Sequence, residues 1–234
     1  MSSNEKTPTM PRLLVINPNT NPAVTALVAA AAEGAVAPGT LLDVLNPPRG
    51  PFSIETAEHR KAAIPEILAL VDSRPAFDAC VLACFDDLCL DQLRVKTGKP
   101  AVGACEAGIA LARTMAGRFS VITTVHAAVP SIERLLERYG AGDICTVRAA
   151  GIGVAAAAGD TQETEARIFE AVRLAIEQDG AEAILLGSGG LTGRAGAIAA
   201  AMSLPVIDGV AAAVRLAESA ANYVRSGNVE KAAE

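Results

Sequence analysis

Two residues that can exchange protons stand at matching points of the chain. Cys84 lies near the end of the apolar run FDACVLACF (77–85), and Ser188 ends the run AILLGS (183–188). Short apolar runs that end in loop residues are typical of buried strands that open into a ligand-binding loop. Two such groups can invert a carbon centre, because one removes a proton from one face and the other returns a proton to the opposite face. Inversion requires that the fold bring both residues to one pocket.

An internal repeat relates the two residues. LLVINPNTNPAVTALV aligns with FSVITTVHAAVPSIERLL, so Asn17 falls opposite Thr123. ACVLACFDDLCLDQLRVKTGKPAVGACEAG aligns with EAILLGSGGLTGRAGAIAAAMSLPVIDGV, so Cys84 falls opposite Ser188. Self-similarity of this kind indicates repeated structural units. We expect two lobes related by a pseudo-twofold axis, with equivalent strand ends facing each other across a cleft.

Strand-like and helical segments alternate along the whole chain. Predicted strands lie in 12–18, 40–47, 77–85, 100–105, 118–124, 144–151, 183–188 and 204–208; predicted helices span about 22–37, 53–72, 106–117, 130–139, 163–179 and 192–202, with a last helix after 208. This alternation predicts an α/β fold. Its two pseudo-symmetric lobes each have a mainly parallel sheet flanked by helices, and the active site lies in the cleft between them. We assign residues 12–104 plus 208–225 to the first lobe and 105–207 to the second.

Charge and composition exclude several classes of partner. The formal net charge is −6, which argues against nucleic acid and anionic membranes because both require clustered cations. No apolar run approaches the roughly 20 residues of a membrane span. The polar start MSSNEKTPTMPR lacks the apolar centre of a secretion signal. We therefore expect a cytoplasmic protein that binds a small molecule.

The cysteines and histidines do not suggest a metal site. Five cysteines in a chain without an export signal predict reduced thiols rather than disulfides. The spacing of Cys80, Cys84 and Cys89 matches no zinc pattern, and the chain has only two histidines. With only two histidines, the chain also has few candidates for the histidine of a Ser–His–Asp triad. In addition, Leu186 occupies the position of the first glycine in the GxSxG motif of serine hydrolases. We expect no metal, and a serine hydrolase is the weakest alternative.

Five motifs taken in order carry a family resemblance: VINPNT (15–20), ACF-x-D-x-x-LD (83–91), PAVGACEAG (100–108), VITT (121–124) and LLGSGGL (185–191). With them the chain resembles the aspartate/glutamate/hydantoin racemase superfamily over about residues 12 to 225, and within it the hydantoin (allantoin) racemase branch. The resemblance implies cofactor-independent racemisation of 5-substituted hydantoins or allantoin by proton transfer at C5. It also implies a homo-oligomer.

The same resemblance implies two catalytic cysteines, and this chain departs from that pattern. Cys84 matches the first cysteine, whereas Ser188 occupies the place of the second. Three explanations remain open: an engineered Cys→Ser exchange, a one-cysteine isomerase or decarboxylase of small carboxylates, or another acid that supplies the proton. A second departure is CFDDLC, where the family more often has Gly and Pro-Gly after Cys-Phe, and we expect it to reshape the pocket mouth.

The resemblance also implies roles for further residues. We expect the loop after Cys84 to lead into a helix whose N-terminus stabilises the thiolate. Asn17 would present its amide to an imide-type ring, although Asn-Pro is also a common turn, and Phe85 would form a wall of the pocket. The further expected substrate-binding residues are two threonines, which can instead cap a helix, and three glycines that admit close backbone approach: Thr123, Thr124, Gly187, Gly189 and Gly190. A non-catalytic binding protein built on the same cleft is the alternative from another class.

Overall fold

Two parallel β-sheets form the framework of the protein. A computed structural model describes residues 10–74, 76–159 and 161–227. The first sheet has the order β2-β1-β3-β4 and the second the order β6-β5-β7-β8, and every neighbouring pair is parallel. The strands are β1 (Arg12–Ile16), β2 (Leu41–Leu45), β3 (Ala79–Leu82), β4 (Ala101–Gly103), β5 (Phe119–Thr123), β6 (Cys145–Ala149), β7 (Ala183–Leu186) and β8 (Val206–Asp208).

Helices connect the strands on both faces of each sheet, as parallel pairing requires. They are α1 (Pro22–Glu33), α2 (Ala57–Asp72), α3 (Leu90–Thr97), α4 (Ala104–Met115), α5 (Val129–Arg138), α6 (Val154–Ala157), α7 (Gln162–Asp179), α8 (Ala195–Met202) and α9 (Gly209–Arg225). The sequence-based prediction of an α/β fold with two lobes and parallel sheets is confirmed. The two sheets also share one strand order, so β1 corresponds to β5 and β3 to β7.

Local capping moves several helix ends from their predicted positions. The helix expected over 53–72 begins at Ala57, because Thr56 is extended and its side chain accepts a hydrogen bond from the backbone N–H of His59. The helix expected from about 192 begins at Ala195, after a short 3₁₀ helix over Gly189–Leu191. The short helix α6 was not predicted, because four residues are too few to show a helical period.

Alternate residues of each strand face different hydrophobic clusters. Val15 of β1 and Val121 of β5 belong to one cluster that both sheets share. Leu14 faces the other side of the first sheet and packs with α2, whereas Ile184 packs with α7 and α8 behind the second sheet. Side chains of a strand alternate between its two faces, so one face of each sheet is buried against the other lobe. This shared core holds the two sets of strand ends in a fixed relation.

Two helices cross between the sheets. α9 follows the last strand of the second sheet but packs against β1, β3 and β4 of the first, and α4 contacts β7 and β8 of the second. The lobe boundaries assigned above, 12–104 plus 208–225 and 105–207, stay a prediction. Among the described helices, none combines the length and apolar character needed to cross a membrane.

Candidate active site

The loops that follow the two central strands of each sheet line one pocket. Ligands of open α/β sheets bind at the carboxyl ends of the strands, and these four loops leave from such ends. The residues that line the pocket are Pro18 and Asn19 after β1, Ala83 to Asp86 after β3, Thr123 to Val125 at the end of β5, Gly187 to Gly189 after β7, and Ile54, Ala128, Ile132 and Val154. Cys84 and Ser188 thus line the same pocket from equivalent positions of the two sheets.

Cys84 lies in an environment that disfavours its thiolate. Burial raises the pKa of the Cys84 thiol well above its usual value, and the negative charges of Asp86 and Asp87 add to this shift. The backbone N–H of Asp86 and the guanidinium of Arg60 oppose it. The expected stabilisation by a helix N-terminus is wrong, because α3 begins only at Leu90 and a turn separates it from Cys84.

Ser188 lies among hydrogen-bond donors. Its Oγ accepts a hydrogen bond from the backbone N–H of Gly190 at 3.3 Å and one from the Thr124 hydroxyl at 3.4 Å. The side chain caps the 3₁₀ helix that starts at Gly189. Among the described residues, Asp86 supplies the one carboxylate that lines the pocket. Asp86 belongs to the loop after Cys84, and the loop after Ser188 contributes no lining carboxylate from those residues.

Asn17 does not line the pocket. It is fully buried, and its Nδ2 donates to Asn19 Oδ1 and to Thr25 Oγ1, both at 3.0 Å. Its Oδ1 accepts from the backbone N–H of Asn19 at 3.3 Å, which ties the turn after β1. Asn19 lines the pocket in its place. The Asn19 Oδ1 also accepts from the N–H of Asn21, and the Asn19 Nδ2 has no hydrogen-bond partner among the described residues, so it can donate to a ligand.

Five of the other predicted binding residues line the pocket and are placed by local packing. Thr123 is buried and its hydroxyl donates to the carbonyl of Gly187 at 3.3 Å. Thr124 donates to Ser188, and Phe85 is a buried wall residue. Gly187 also lines the pocket, and so does Gly189.

Gly190 is not among the lining residues. A Cβ atom at this position would lie 2.6 Å from the carbonyl oxygen of Val154. Glycine therefore lets α6 approach the loop after β7, and the close approach is to protein rather than to ligand.

An apolar wall completes the pocket, and sequence analysis did not identify it. Ile54 precedes α2, Val125 follows β5, Ala128 and Ile132 lie at the start of α5, and Val154 begins α6. None of these residues belongs to a motif. Only the packing of the two lobes brings them together, so no local signal in the sequence marks them.

Asp87 holds the loop after Cys84 against α4. Its carboxylate accepts the backbone N–H groups of Cys105 at 3.0 Å and Glu106 at 2.8 Å, and the Tyr139 hydroxyl at 2.9 Å. Burial raises the pKa of Asp87 to about 7, against the lowering effect of these three donors. A Cβ atom on Gly103 would lie 2.1 Å from Asp87 Oδ1, so glycine at that position permits this contact.

Polar contacts join the two lobes at the pocket. Arg60 of α2 donates from Nε to Asp86 Oδ1 at 2.7 Å and from Nη2 to the Ser131 hydroxyl of α5 at 2.8 Å. Glu55 accepts the backbone N–H of Val154 at 3.0 Å. As to metals, the described residues contain no group of three or more His, Cys, Asp or Glu side chains that could hold an ion.

Comparison with known proteins agrees with this architecture. The family model described as Asp/Glu/hydantoin racemase matches residues 13–217. The chain belongs to this family. A relative named hydantoin racemase from Rhizobium meliloti is 38% identical over 208 residues, which cover 88% of this chain and 86% of that protein. The resemblance found in the sequence motifs is confirmed, and the family is one of racemases, which are isomerases.

Two solved structures are similar over almost the whole chain. The allantoin racemase from Klebsiella pneumoniae is 34% identical with a TM-score of 0.87, covering 92% of this chain and 88% of that one. The allantoin racemase from Pseudomonas fluorescens is 34% identical with a TM-score of 0.86, covering 92% of each chain. Both similarities support the hydantoin and allantoin branch of the family.

Proposed function

We propose that this protein is a cofactor-independent racemase-type enzyme that acts at C5 of 5-substituted hydantoins or allantoin. Cys84 is the acid/base on one face of the substrate, and Ser188 occupies the opposite face. The observation that carries the proposal is that both residues line one pocket from equivalent strand ends of two matching sheets. Relatives named hydantoin and allantoin racemases support the choice of substrate.

The chemical step is a proton transfer at carbon. The thiolate of Cys84 takes the C5 proton and becomes a thiol, while the electron pair of the C5–H bond moves into the adjacent carbonyl as an enolate. The free Asn19 Nδ2 and backbone N–H groups of the pocket loops are donors available to the ring carbonyls. If Cys84 returns the proton to C5, the starting enantiomer forms again. If a proton reaches C5 from the Ser188 side, the configuration at C5 is inverted.

The two faces differ in how well they can complete this step. A serine hydroxyl is far less acidic than a thiol, so it delivers a proton to the enolate slowly. The raised pKa of Cys84 makes its thiolate scarce at neutral pH but a strong base once formed. We therefore expect exchange of the C5 proton on the Cys84 face to outpace inversion.

Deuterium exchange tests the proposal. Each enantiomer of a 5-substituted hydantoin is incubated in D2O, with NMR following loss of C5–H and circular dichroism following optical activity, against an enzyme-free control. We expect enzyme-dependent uptake from one enantiomer with optical activity largely retained. Equal loss of C5–H and optical activity would mean that the Ser188 face still completes the transfer. No enzyme-dependent exchange from either enantiomer would contradict the proposal.

A one-cysteine isomerase or decarboxylase of small carboxylates is the second candidate. Ser188 in the second position favours it, because such chemistry needs a single thiol. The lining carboxylate of Asp86 opposes it, because like charges repel inside a partly buried pocket. Product formation from maleate or an arylmalonate, measured by NMR, would support this candidate over the first.

Assembly and location stay predictions. We expect a homo-oligomer, which size-exclusion chromatography with light scattering can measure, and a cytoplasmic location, which fractionation of the source cells can measure. A mass equal to one 23.8 kDa chain would contradict the first.

A further inference from the structure

Asp86 places a charged hydrogen-bond acceptor in an otherwise apolar part of the pocket. Its side chain is 12% exposed and lines the pocket beside Cys84. Two lining residues on the other lobe, Ala128 and Ile132, have purely aliphatic side chains. A polar contact made in such surroundings discriminates strongly between ligands, because an unmade hydrogen bond leaves a desolvated group.

The two oxygens of Asp86 have different roles. Oδ1 accepts a hydrogen bond from Arg60 Nε at 2.7 Å and lies 3.4 Å from the Ser131 hydroxyl, which donates to the Ala128 carbonyl at 2.8 Å. Oδ2 has no hydrogen-bond partner among the residues that the structure describes. The side chain is therefore held by one oxygen while the other stays available as an acceptor.

The charges of Asp86 and Arg60 together determine which ligand groups can donate a hydrogen bond to Asp86 Oδ2. The Arg60 guanidinium pairs with the Asp86 carboxylate, and its side chain is only 18% exposed. A cationic ligand group would be attracted by the Asp86 carboxylate but repelled by the Arg60 guanidinium. A neutral N–H donor can bind the carboxylate oxygen without this repulsion. Urea-type and amide N–H groups have this chemistry.

We propose that Asp86 is a specificity-determining residue that accepts a hydrogen bond from a neutral N–H donor on the C5 substituent. The inference rests on the proposed function, because it assumes a hydantoin ring in the pocket. It selects ureido and carbamoyl substituents over aliphatic and cationic ones.

A matched pair of ligands tests the selection. Allantoin carries a ureido group, and 5-isobutylhydantoin carries an aliphatic group with the same number of heavy atoms and the same branching. Calorimetric titration of the whole protein measures both affinities. We expect allantoin to bind about 10- to 100-fold more tightly, as a hydrogen bond to a charged acceptor implies. We expect 5-(2-aminoethyl)hydantoin to bind more weakly than allantoin.

Two variants place the preference on Asp86. In Asp86→Asn, Arg60 keeps the amide oxygen and turns the NH₂ toward the ligand, so an acceptor becomes a donor. In Asp86→Gly the acceptor is absent. We expect both variants to lower the allantoin-to-isobutyl preference by about 10- to 100-fold. Loss of charge beside Cys84 affects both ligands alike and leaves this ratio unchanged.

Control variants separate recognition from structure. Ser131→Ala removes a contact between the lobes but leaves Asp86 in place, and Asp91→Asn removes a carboxylate whose side chain is 66% exposed. We expect both to keep the wild-type ratio. Equal weakening of both ligands by Asp86→Asn and Asp86→Gly, or tighter binding of the aminoethyl ligand than of allantoin, would overturn the proposal.

Deuterium exchange at C5, measured with the same ligands, keeps the two proposals apart. Exchange without a preference for allantoin would overturn the role of Asp86 alone. A preference that depends on Asp86, without exchange of either ligand, would overturn the racemase chemistry alone. Failure of both ligands to bind would overturn both.

Discussion

The loops after Cys84 and Ser188 start from equivalent strands and surround their side chains with opposite electrostatics. Burial raises the pKa of Cys84, and the carboxylates of Asp86 and Asp87 raise it further. Ser188 instead accepts hydrogen bonds from Gly190 and Thr124. The two halves of the repeat therefore place a side chain at the same point but give it a different acidity. Acidity depends on the neighbours, and the two loops differ most in those residues.

Backbone conformation keeps the loops different. Asp87 has φ 45° and Cys89 has φ 50°, so the chain passes twice through the left-handed region before α3 begins. Such positions cost energy for residues with a Cβ atom, and the hydrogen bonds of Asp87 to α4 offset that cost. After Ser188 the chain enters a 3₁₀ helix directly. Asp87 binds the N-terminus of α4, and these hydrogen bonds hold both carboxylates of the loop close to Cys84.

Loss of the thiol is the largest change that we expect. Cys84→Ala should lower the enzyme-dependent rate of C5 deuterium exchange by about 10²- to 10⁴-fold, the usual contribution of a general acid/base. The NMR exchange assay measures this rate. Cys145→Ala is the matched control, because that cysteine is buried in β6 and is not among the lining residues. An unchanged rate in Cys84→Ala would remove Cys84 from the mechanism.

Restoring a thiol on the other face is expected to have the next largest effect. Ser188→Cys should raise the rate of racemisation, relative to exchange, by about 10²-fold or more, because a thiol delivers protons better than a hydroxyl. The polarimetric and NMR assays give the two rates.

The same substitution tests whether the two loops differ in their effect on a thiolate. In the double variant Cys84→Ser with Ser188→Cys, the thiol at 188 should be alkylated by iodoacetamide at lower pH than Cys84 is in the wild type. Donors favour a thiolate at that place, whereas carboxylates oppose it at Cys84. Peptide mass spectrometry identifies the modified cysteine. Alkylation at the same or higher pH would refute the contrast between the loops.

Stability should depend on pH through Asp87. Its folded-state pKa of about 7 exceeds the unfolded value of 3.8, so the folded state binds a proton that the unfolded state releases between these values. Its contribution to the free energy of unfolding is therefore lost as the pH rises through this window. The difference between the wild type and Asp87→Asn should fall by roughly 2–3 kcal/mol between pH 5 and pH 8.

Urea denaturation at the two pH values measures that difference. Asp91→Asn is the control, because its exposed carboxylate should leave the pH dependence as in the wild type. A difference that grows with pH would mean that the hydrogen bonds of Asp87 outweigh its burial.

A smaller effect concerns the charge beside Cys84. Asp86→Asn should shift the alkylation profile of Cys84 to lower pH, because it removes a negative charge that raises this pKa. At pH 8 we expect an alkylation rate about 3- to 10-fold above the wild type. Ser131→Ala changes no charge and should leave the profile in place. An unshifted profile in Asp86→Asn would exclude Asp86 as a cause of the raised pKa and leave burial and Asp87.

Much of the fold and part of the site could be predicted from local patterns. Short apolar runs alternating with helical segments indicate parallel strands, and the repeat places Cys84 and Ser188 at equivalent strand ends. The wrong expectation at Cys84 arose because the loop before α3 is longer than CFDD suggests. Asn17 and Asn19 both stand in VINPNT, and only the turn geometry determines which of them lines the pocket.

The family, the two parallel sheets and the pairing of Cys84 with Ser188 could all be predicted from the sequence, because these depend on residue order and on periods of a few residues. The apolar wall, the burial of Cys84 and the contact of Arg60 with Asp86 follow only from the packed structure. The physical reason is distance. Burial and electrostatic interactions act between groups that are close in space, whatever their separation in the chain, and the packing of the two lobes sets those distances.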